Sequence, residues 1–278
     1  MSEEAAYVLG SDDAEIARLD GQAASIAGAT DALLRAAGIG GSMRVLDLGT
    51  GLGHVALMVA GLLDAGGSVV GVDQSERLLE IAEQRRVAAG VENVGFMRAD
   101  ARTFEAAEPF DAIVARLLLF HLPDRAEVLA RLHHALRPGG TMVLIEFDTG
   151  AARTEPEVPL VASVGRWIEA AFRSAGADPR VGARAAELLR RAAFEDVATF
   201  GIQAYLAPTD PLGPQFLAGV ARSLAPQIVA HGIAGEAELG ADTLQARITE
   251  QVVAHDAVIL PPALVGAWGT QPLAAGVA

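Results

Sequence analysis

Residues 45–54 read Val-Leu-Asp-Leu-Gly-Thr-Gly-Leu-Gly-His, an apolar run that delivers an acid and then three alternating glycines. Glycines at 49, 51 and 53 admit backbone dihedrals closed to other residues and remove the Cβ atoms that would keep a ligand off the main chain. Those are the parts of a cradle for a nucleoside-type cofactor. Asp47, two positions ahead of Gly49, adds a fixed negative charge, which repels a pyrophosphate and attracts an amine or a sulfonium. The same stretch from Gly51 to Ala56 also fits the G-x-G-x-x-G/A fingerprint of nicotinamide and flavin enzymes. Alone, it divides between the two cofactor classes.

Further acids lie where a parallel sheet would present them, just beyond the carboxyl ends of its strands. Val69-Val70-Gly71-Val72 leads into Asp73, placed to accept both hydroxyls of a ribose, and Met97-Arg98-Ala99 leads into Asp100, placed to accept from an exocyclic adenine amine. Dinucleotide enzymes have no general need of that third acid. Each aspartate by itself reads equally well as a helix N-cap or turn residue, and only the ordered series is specific. Arg116 and His121 follow the next strand. His121 is the best-placed candidate general base, and the competing reading makes it a turn residue before Pro123. Glu146 and Asp148 end a further strand, and at most one of them is expected to point into a pocket. No set of residues has convincing metal-ligand spacing, and no metal is expected.

The elements that must position these groups alternate regularly. Strands are expected at 44–48, 68–72, 94–98, 110–115 and 141–147, with helices at 55–63, 76–88 and 125–136 between them. Short, nearly unbroken apolar strands alternating with helices imply a parallel sheet covered on both faces. Two helices are expected between Asp12 and Gly38. After a polar, proline-containing linker at 151–159 come helices at 161–175 and 183–193 and a strand at 195–205. Helical patterns at 213–231 and 241–254 follow, and then a strand at 256–268 interrupted by Pro261-Pro262. If the two late strands pair, the segment between them, about 208–255, is a helical insertion. Trp167, Phe172, Phe216 and Trp268 either line an apolar acceptor pocket or pack helices.

Composition narrows the partners. With 35 acidic and 21 basic side chains the chain carries a formal charge of -14, a field that repels nucleic acid and anionic lipid. Without cysteine it has no disulfide, no thiolate metal site and no cysteine nucleophile. The acidic start Met1-Ser2-Glu3-Glu4 lacks the basic, apolar pattern of a signal peptide, and no apolar run approaches the roughly 20 residues of a membrane span. A cytoplasmic protein with no membrane partner is the expectation.

Over residues 40–150 the motifs VLDLGTGLG, VVGVDQS, RADA, FDAIVAR, HLPD and LRPGGTMVLIEFD resemble those of the class I methyltransferases that use S-adenosylmethionine, small-molecule type. The resemblance implies a Rossmann-like α/β fold: a mainly parallel seven-stranded sheet with a final antiparallel strand. It also implies one domain, in which a helical cap (1–41) precedes the cofactor-binding core (42–150) and substrate-side helices with the insertion follow (151–278). Asp47, Gly49 and Gly51 would surround the methionine moiety, Asp73 would hold the ribose, Gln74 would lie beside the adenine, and Asp100 with the backbone of Ala101 would read the ring. Arg116 and Leu117 would stand beside the methionyl group, with Tyr7 reaching in from the cap. Thr50, where the family often has cysteine or alanine, would contribute mainly backbone. The implied activity is direct methyl displacement onto a small-molecule acceptor, in a chain for which a homodimer is an open state. A nicotinamide-dependent oxidoreductase and a non-catalytic partner of the same fold remain the alternatives.

Overall fold

The computed structural model describes residues 13–273. In chain order the elements are α1 (Asp13–Ala36), β1 (Arg44–Leu48), α2 (His54–Ala60), β2 (Ser68–Asp73), α3 (Glu76–Ala88), β3 (Val94–Arg98), β4 (Phe110–Arg116), α4 (Arg125–Ala135) and β5 (Leu136–Asp148). They continue as β6 (Arg153–Glu155), α5 (Pro159–Ser174), α6 (Val181–Arg191), β7 (Glu195–Ile202), α7 (Leu212–Ser223), α8 (Ala225–Ala230), α9 (Glu236–Leu239), α10 (Leu244–Ala254), β8 (Val258–Leu260) and β9 (Ala263–Thr270). The described residues divide into two compact units. One holds those up to 146, 181–201 and those from 264 onward, and the other holds 147–180 and 202–263.

The first unit is built on a seven-stranded sheet of order β3-β2-β1-β4-β5-β9-β7. Strands β3, β2, β1, β4 and β5 are parallel, with Asp47 in register with Gly71 on one side and Val114 on the other. Thr199 Oγ1 donates to the Gly266 carbonyl and Thr270 Oγ1 to that of Glu195, so β7 and β9 run antiparallel. The order reverses between β1 and β4. In open α/β sheets that switch point is where the carboxyl ends of the strands leave a crevice for ligands. Leu46, Leu48, Ile113, Leu129, Leu132 and Leu144 are wholly buried in the core beneath it.

Gly71 in β2 is a packing requirement. A Cβ there would sit 2.6 Å from Phe96 Cδ1 and 2.9 Å from Thr50 Oγ1. Overpacking of this kind typically costs about 1–3 kcal/mol. Gly71→Ala is therefore expected to lower stability by that amount, read as a reduced urea midpoint with an unchanged slope.

Where two helices were expected before β1, α1 runs unbroken for 24 residues. Gly21 and Gly28 lie within it with open space where a Cβ would be, so each weakens the helix without terminating it, while buried Leu33 and Leu34 hold its last turns. Arg85 on α3 clips α1 in place through a two-pronged ion pair with Asp20 (2.8 and 2.9 Å), and its Nη1 also lies 2.9 Å from His54 Nε2.

In the second unit, α5, α7, α8 and α10 bury Val164, Ile168, Ala218, Leu224, Ile248 and Val252 against one another. The helical pattern at 213–231 is divided at Leu224, because Pro226 starts a new helix. The strand expected at 256–268 is likewise two strands, because Pro261 and Pro262 have no N–H to continue a ladder. Its first part, β8, pairs antiparallel with β6 inside the segment read as a linker. Among the described residues, no helix is long and apolar enough to cross a membrane.

Candidate functional site

Asp47 is 1% exposed, and its Oδ2 accepts the Thr50 hydroxyl at 2.6 Å. Burial pushes its carboxyl up to about 6, against the pull of the Thr50 hydrogen bond and the nearby Arg116 cation. At neutral pH it is thus mainly an anion held out of water, a charge that gains from a cationic partner. Thr50 was expected to contribute mainly backbone. Instead its side chain occupies one Asp47 oxygen, a role that any polar residue at this position could have signalled.

The glycine turn is fastened to β2. The N–H groups of Gly49 and Thr50 both donate to the Val72 carbonyl, at 2.8 and 2.9 Å, and Gly51 N–H donates to Asp73 Oδ2 at 2.9 Å. Gly51 has φ 51° and nothing within 4 Å of where its Cβ would lie, whereas a Cβ at Gly49 would meet Leu118 Cδ1 at 3.0 Å. Gly49 is therefore a glycine for packing as well as for its turn, and Gly51 leaves one side of the loop clear.

Asp73 Oδ1 accepts from Ser75 N–H at 2.9 Å, so the carboxylate bridges the loop and the start of α3. Burial raises its pKa, and the amides of Ser75, Gly51 and Gln74 pull it back. Two backbone bonds leave lone pairs for further donors. Asp100 is held differently: Arg102 grips it with Nη2 at 2.8 Å and Nε at 3.1 Å, lowering its pKa. An adenine amine would share that carboxylate with a guanidinium, a pairing not foreseen from the sequence. The carbonyl of Gln74 accepts Arg98 Nε at 3.0 Å, and Ala101 follows Asp100 in the same half-buried loop.

Arg116 ends β4 with its Nη1 3.3 Å from Thr30 Oγ1. Burial lowers its pKa and Asp47 restores part of it. Leu117 adopts φ 54°, left-handed backbone that costs a bulky residue roughly 1–2 kcal/mol and that tends to be kept at functional sites. His121 lies with its ring edge-on to Phe120 at 4.8 Å between centroids, and burial, with help from Arg18, pushes its pKa down to about 4. Glu146 is wholly buried, and Asp148 Oδ1 accepts Gly150 N–H at 2.9 Å. Tyr7 lies outside the described residues.

The helical unit has a cavity of its own, about 380 Å³, with Val161, Leu217 and Ile259 among its apolar lining and Arg153, Arg166 and Glu157 among its charged residues. Trp167 and Phe172 pack in the helical core, and Phe216 stacks edge-on to Phe147 at 6.5 Å. None of the four aromatics lines that cavity.

Residues 39–174 match the family model described as a methyltransferase domain. Trans-aconitate 2-methyltransferase of Methylobacterium radiotolerans is 35% identical over 153 residues, covering 55% of this chain and 54% of that protein. The chain spans about half the length of the curated relatives it matches. Among solved structures, phosphoethanolamine N-methyltransferase 2 of Haemonchus contortus, in complex with phosphomonomethylethanolamine and S-adenosylhomocysteine, superimposes with a TM-score of 0.56 at 19% identity. It covers 88% of this chain and 52% of that one. The [4+2]-cyclase SpnF gives 0.52 at 23% identity, covering 88% and 80%. At such identities the two structures speak for the fold alone. Over residues 39–174 the chain is thus similar to the methyltransferase-domain family, and those residues are laid out in the strand order given above.

Proposed function

We propose that this protein binds S-adenosylmethionine on its glycine turn and transfers the methyl group to a small-molecule acceptor. The observation that carries the reading is the buried Asp47 anion beside a turn left clear at Gly51. That donor set fits the cofactor. Asp47 suits a cationic amine or sulfonium, Arg116 a carboxylate, and Asp73 a pair of ribose hydroxyls. Gln74, Asp100 and the backbone of Ala101 suit the adenine, with Leu117 along the methionyl chain. When bound, the cofactor supplies an electrophilic methyl group on a sulfonium. The chain's part is to hold it in line with the acceptor and to keep water away.

The state of His121 bears on the acceptor. An imidazole whose pKa lies near 4 stays neutral and is a poor proton acceptor at neutral pH. This supports an acceptor that arrives already nucleophilic, such as a carboxylate or a neutral amine, with His121 shaping the pocket. A general base is worth about 10²–10⁴ in rate. His121→Gln is therefore expected to cost less than about tenfold in kcat at saturating cofactor, and a loss of a hundredfold or more would restore His121 as the base.

Calorimetric titration with S-adenosylhomocysteine, run beside NAD+, tests the cofactor assignment. Saturable binding of the first alone supports it. Binding of NAD+ alone would favour the oxidoreductase reading. SpnF, a cyclase on this fold, makes the acceptor assay necessary as well, since binding without turnover across an acceptor panel would point to another chemistry.

A further inference from the structure

Glu146, near the end of β5, has no exposed surface, yet its carboxyl does not pair with a side chain in an ion pair. Its Oε1 accepts the backbone N–H groups of Leu118 at 3.0 Å and Leu119 at 2.7 Å, with that of Phe120 also directed at it. Its Oε2 is buried with no hydrogen-bond partner. These amides begin the short 3₁₀ turn Leu119–His121, and the two residues ahead of them are Arg116 and the left-handed Leu117. Leu118 is also the residue against which Gly49 packs, so closely that a Cβ there would lie 3.0 Å from Leu118 Cδ1.

We infer that Glu146 is a positioning residue: by clamping the amides of Leu118 and Leu119 from the neighbouring strand, it fixes the turn after β4, and so sets where Arg116 and Leu117 stand beside the glycine loop. The inference rests on reading that loop as the S-adenosylmethionine site. A strained residue persists only where its surroundings over-determine it. Leu117 is held from both sides, by its own N–H to the Ile145 carbonyl at 2.9 Å and by the Glu146 clamp on the next two residues.

The protonation state follows from the same contacts. A buried carboxylate with one oxygen left unpartnered is costly, and a carboxylic acid that accepts through one oxygen carries no charge to desolvate. Burial accordingly pushes the Glu146 carboxyl up to about 8, against the pull of the three amides and of Arg125. Arg125, at the start of α4, is the charged group whose field reaches it, and Arg125 is itself acted on by Arg184 of α6 and by Asp124. His121 in the turn is neutral. The sign is therefore fixed: with a folded pKa above the ordinary value of 4.5, Glu146 favours the fold most below that value, and the contribution is lost as pH rises through about 8.

The test compares the wild type with Glu146→Gln, Glu146→Ala and Glu146→Asp, using S-adenosylhomocysteine calorimetry and amide hydrogen exchange of residues 116–122. Glutamine keeps the Oε1 acceptor and cannot ionise. It is expected to hold wild-type affinity within about twofold and to keep Leu118 and Leu119 slow to exchange. Alanine removes the acceptor and aspartate withdraws it by one methylene. Both are expected to weaken binding at least tenfold and to speed exchange in this turn while β1 and β2 stay protected, so aspartate decides the matter if alanine does not fold. The melting temperature of Glu146→Gln is expected to gain on the wild type from pH 5 to pH 8 and to level off above. Wild-type affinity in a folded Ala or Asp variant would overturn the inference, as would a glutamine variant as weak as alanine. If the wild type itself does not bind, the cofactor reading fails, and the exchange comparison still decides whether the clamp exists.

Discussion

Asp73→Ala is expected to weaken S-adenosylhomocysteine binding by two orders of magnitude or more while leaving the protein folded. The carboxylate performs two tasks at once. It ties Gly51 N–H and Ser75 N–H together at 2.9 Å each, joining the glycine turn to the start of α3, and in the proposed complex its remaining lone pairs face a ribose. Hydrogen bonds to a charged group are worth about 1.5–3 kcal/mol each. Losing two to the ligand therefore corresponds to about a hundredfold at the low end of that range, before any cost of a loosened loop. Asp73→Asn separates the tasks, because an amide oxygen can still accept from one backbone N–H while its NH₂ opposes the other. Its affinity is expected between those of the wild type and the alanine variant. Wild-type affinity in a folded Asp73→Ala protein would remove Asp73 from the site, and with it the ribose assignment.

Asp73 also shows what the sequence makes legible. An acid one step beyond a run such as Val-Val-Gly-Val is placed by strand period and sheet topology, both of which can be read from the pattern of apolar residues. The same holds for Asp47 and Arg116. What escaped depends on contacts across long separations. Thr50 looks like a spacer until its hydroxyl is seen on Asp47. Asp100 looks like a free acceptor until Arg102 grips it. Glu146 reads as a strand-end acid facing a pocket, because nothing local says that its oxygen will meet the amides of residues 28 and 27 positions earlier. One element boundary failed for a related reason: two helices were expected before β1, and the burial of Leu33 and Leu34 with the Asp20–Arg85 pair holds α1 as one.

Binding of S-adenosylhomocysteine is expected to weaken as pH falls through about 6, approaching tenfold per pH unit below that point, and Asp47→Asn is expected to abolish the dependence. In the ligand-free protein burial holds the Asp47 carboxyl at about 6. A cationic amine beside it favours the anion, so binding lowers that pKa and must displace the proton wherever the free protein carries one. The signature is proton release. Calorimetry in buffers of different ionisation enthalpy is expected to find close to one proton per ligand at pH 5 and almost none at pH 7.5. Folding responds with the opposite sign. Because the folded pKa lies above the ordinary 3.8, the contribution of Asp47 to stability is greatest below that value and is lost as pH rises through about 6. At pH 7 the ligand-free Asp47→Asn protein is therefore expected to be more stable than the wild type, by on the order of 3 kcal/mol, the cost of keeping this carboxylate ionised out of water, even as its affinity collapses. An acid kept for packing would behave the other way, losing stability on replacement and leaving affinity alone. That opposition of the two signs is what distinguishes a charge held ready for a cation from one that merely caps a turn.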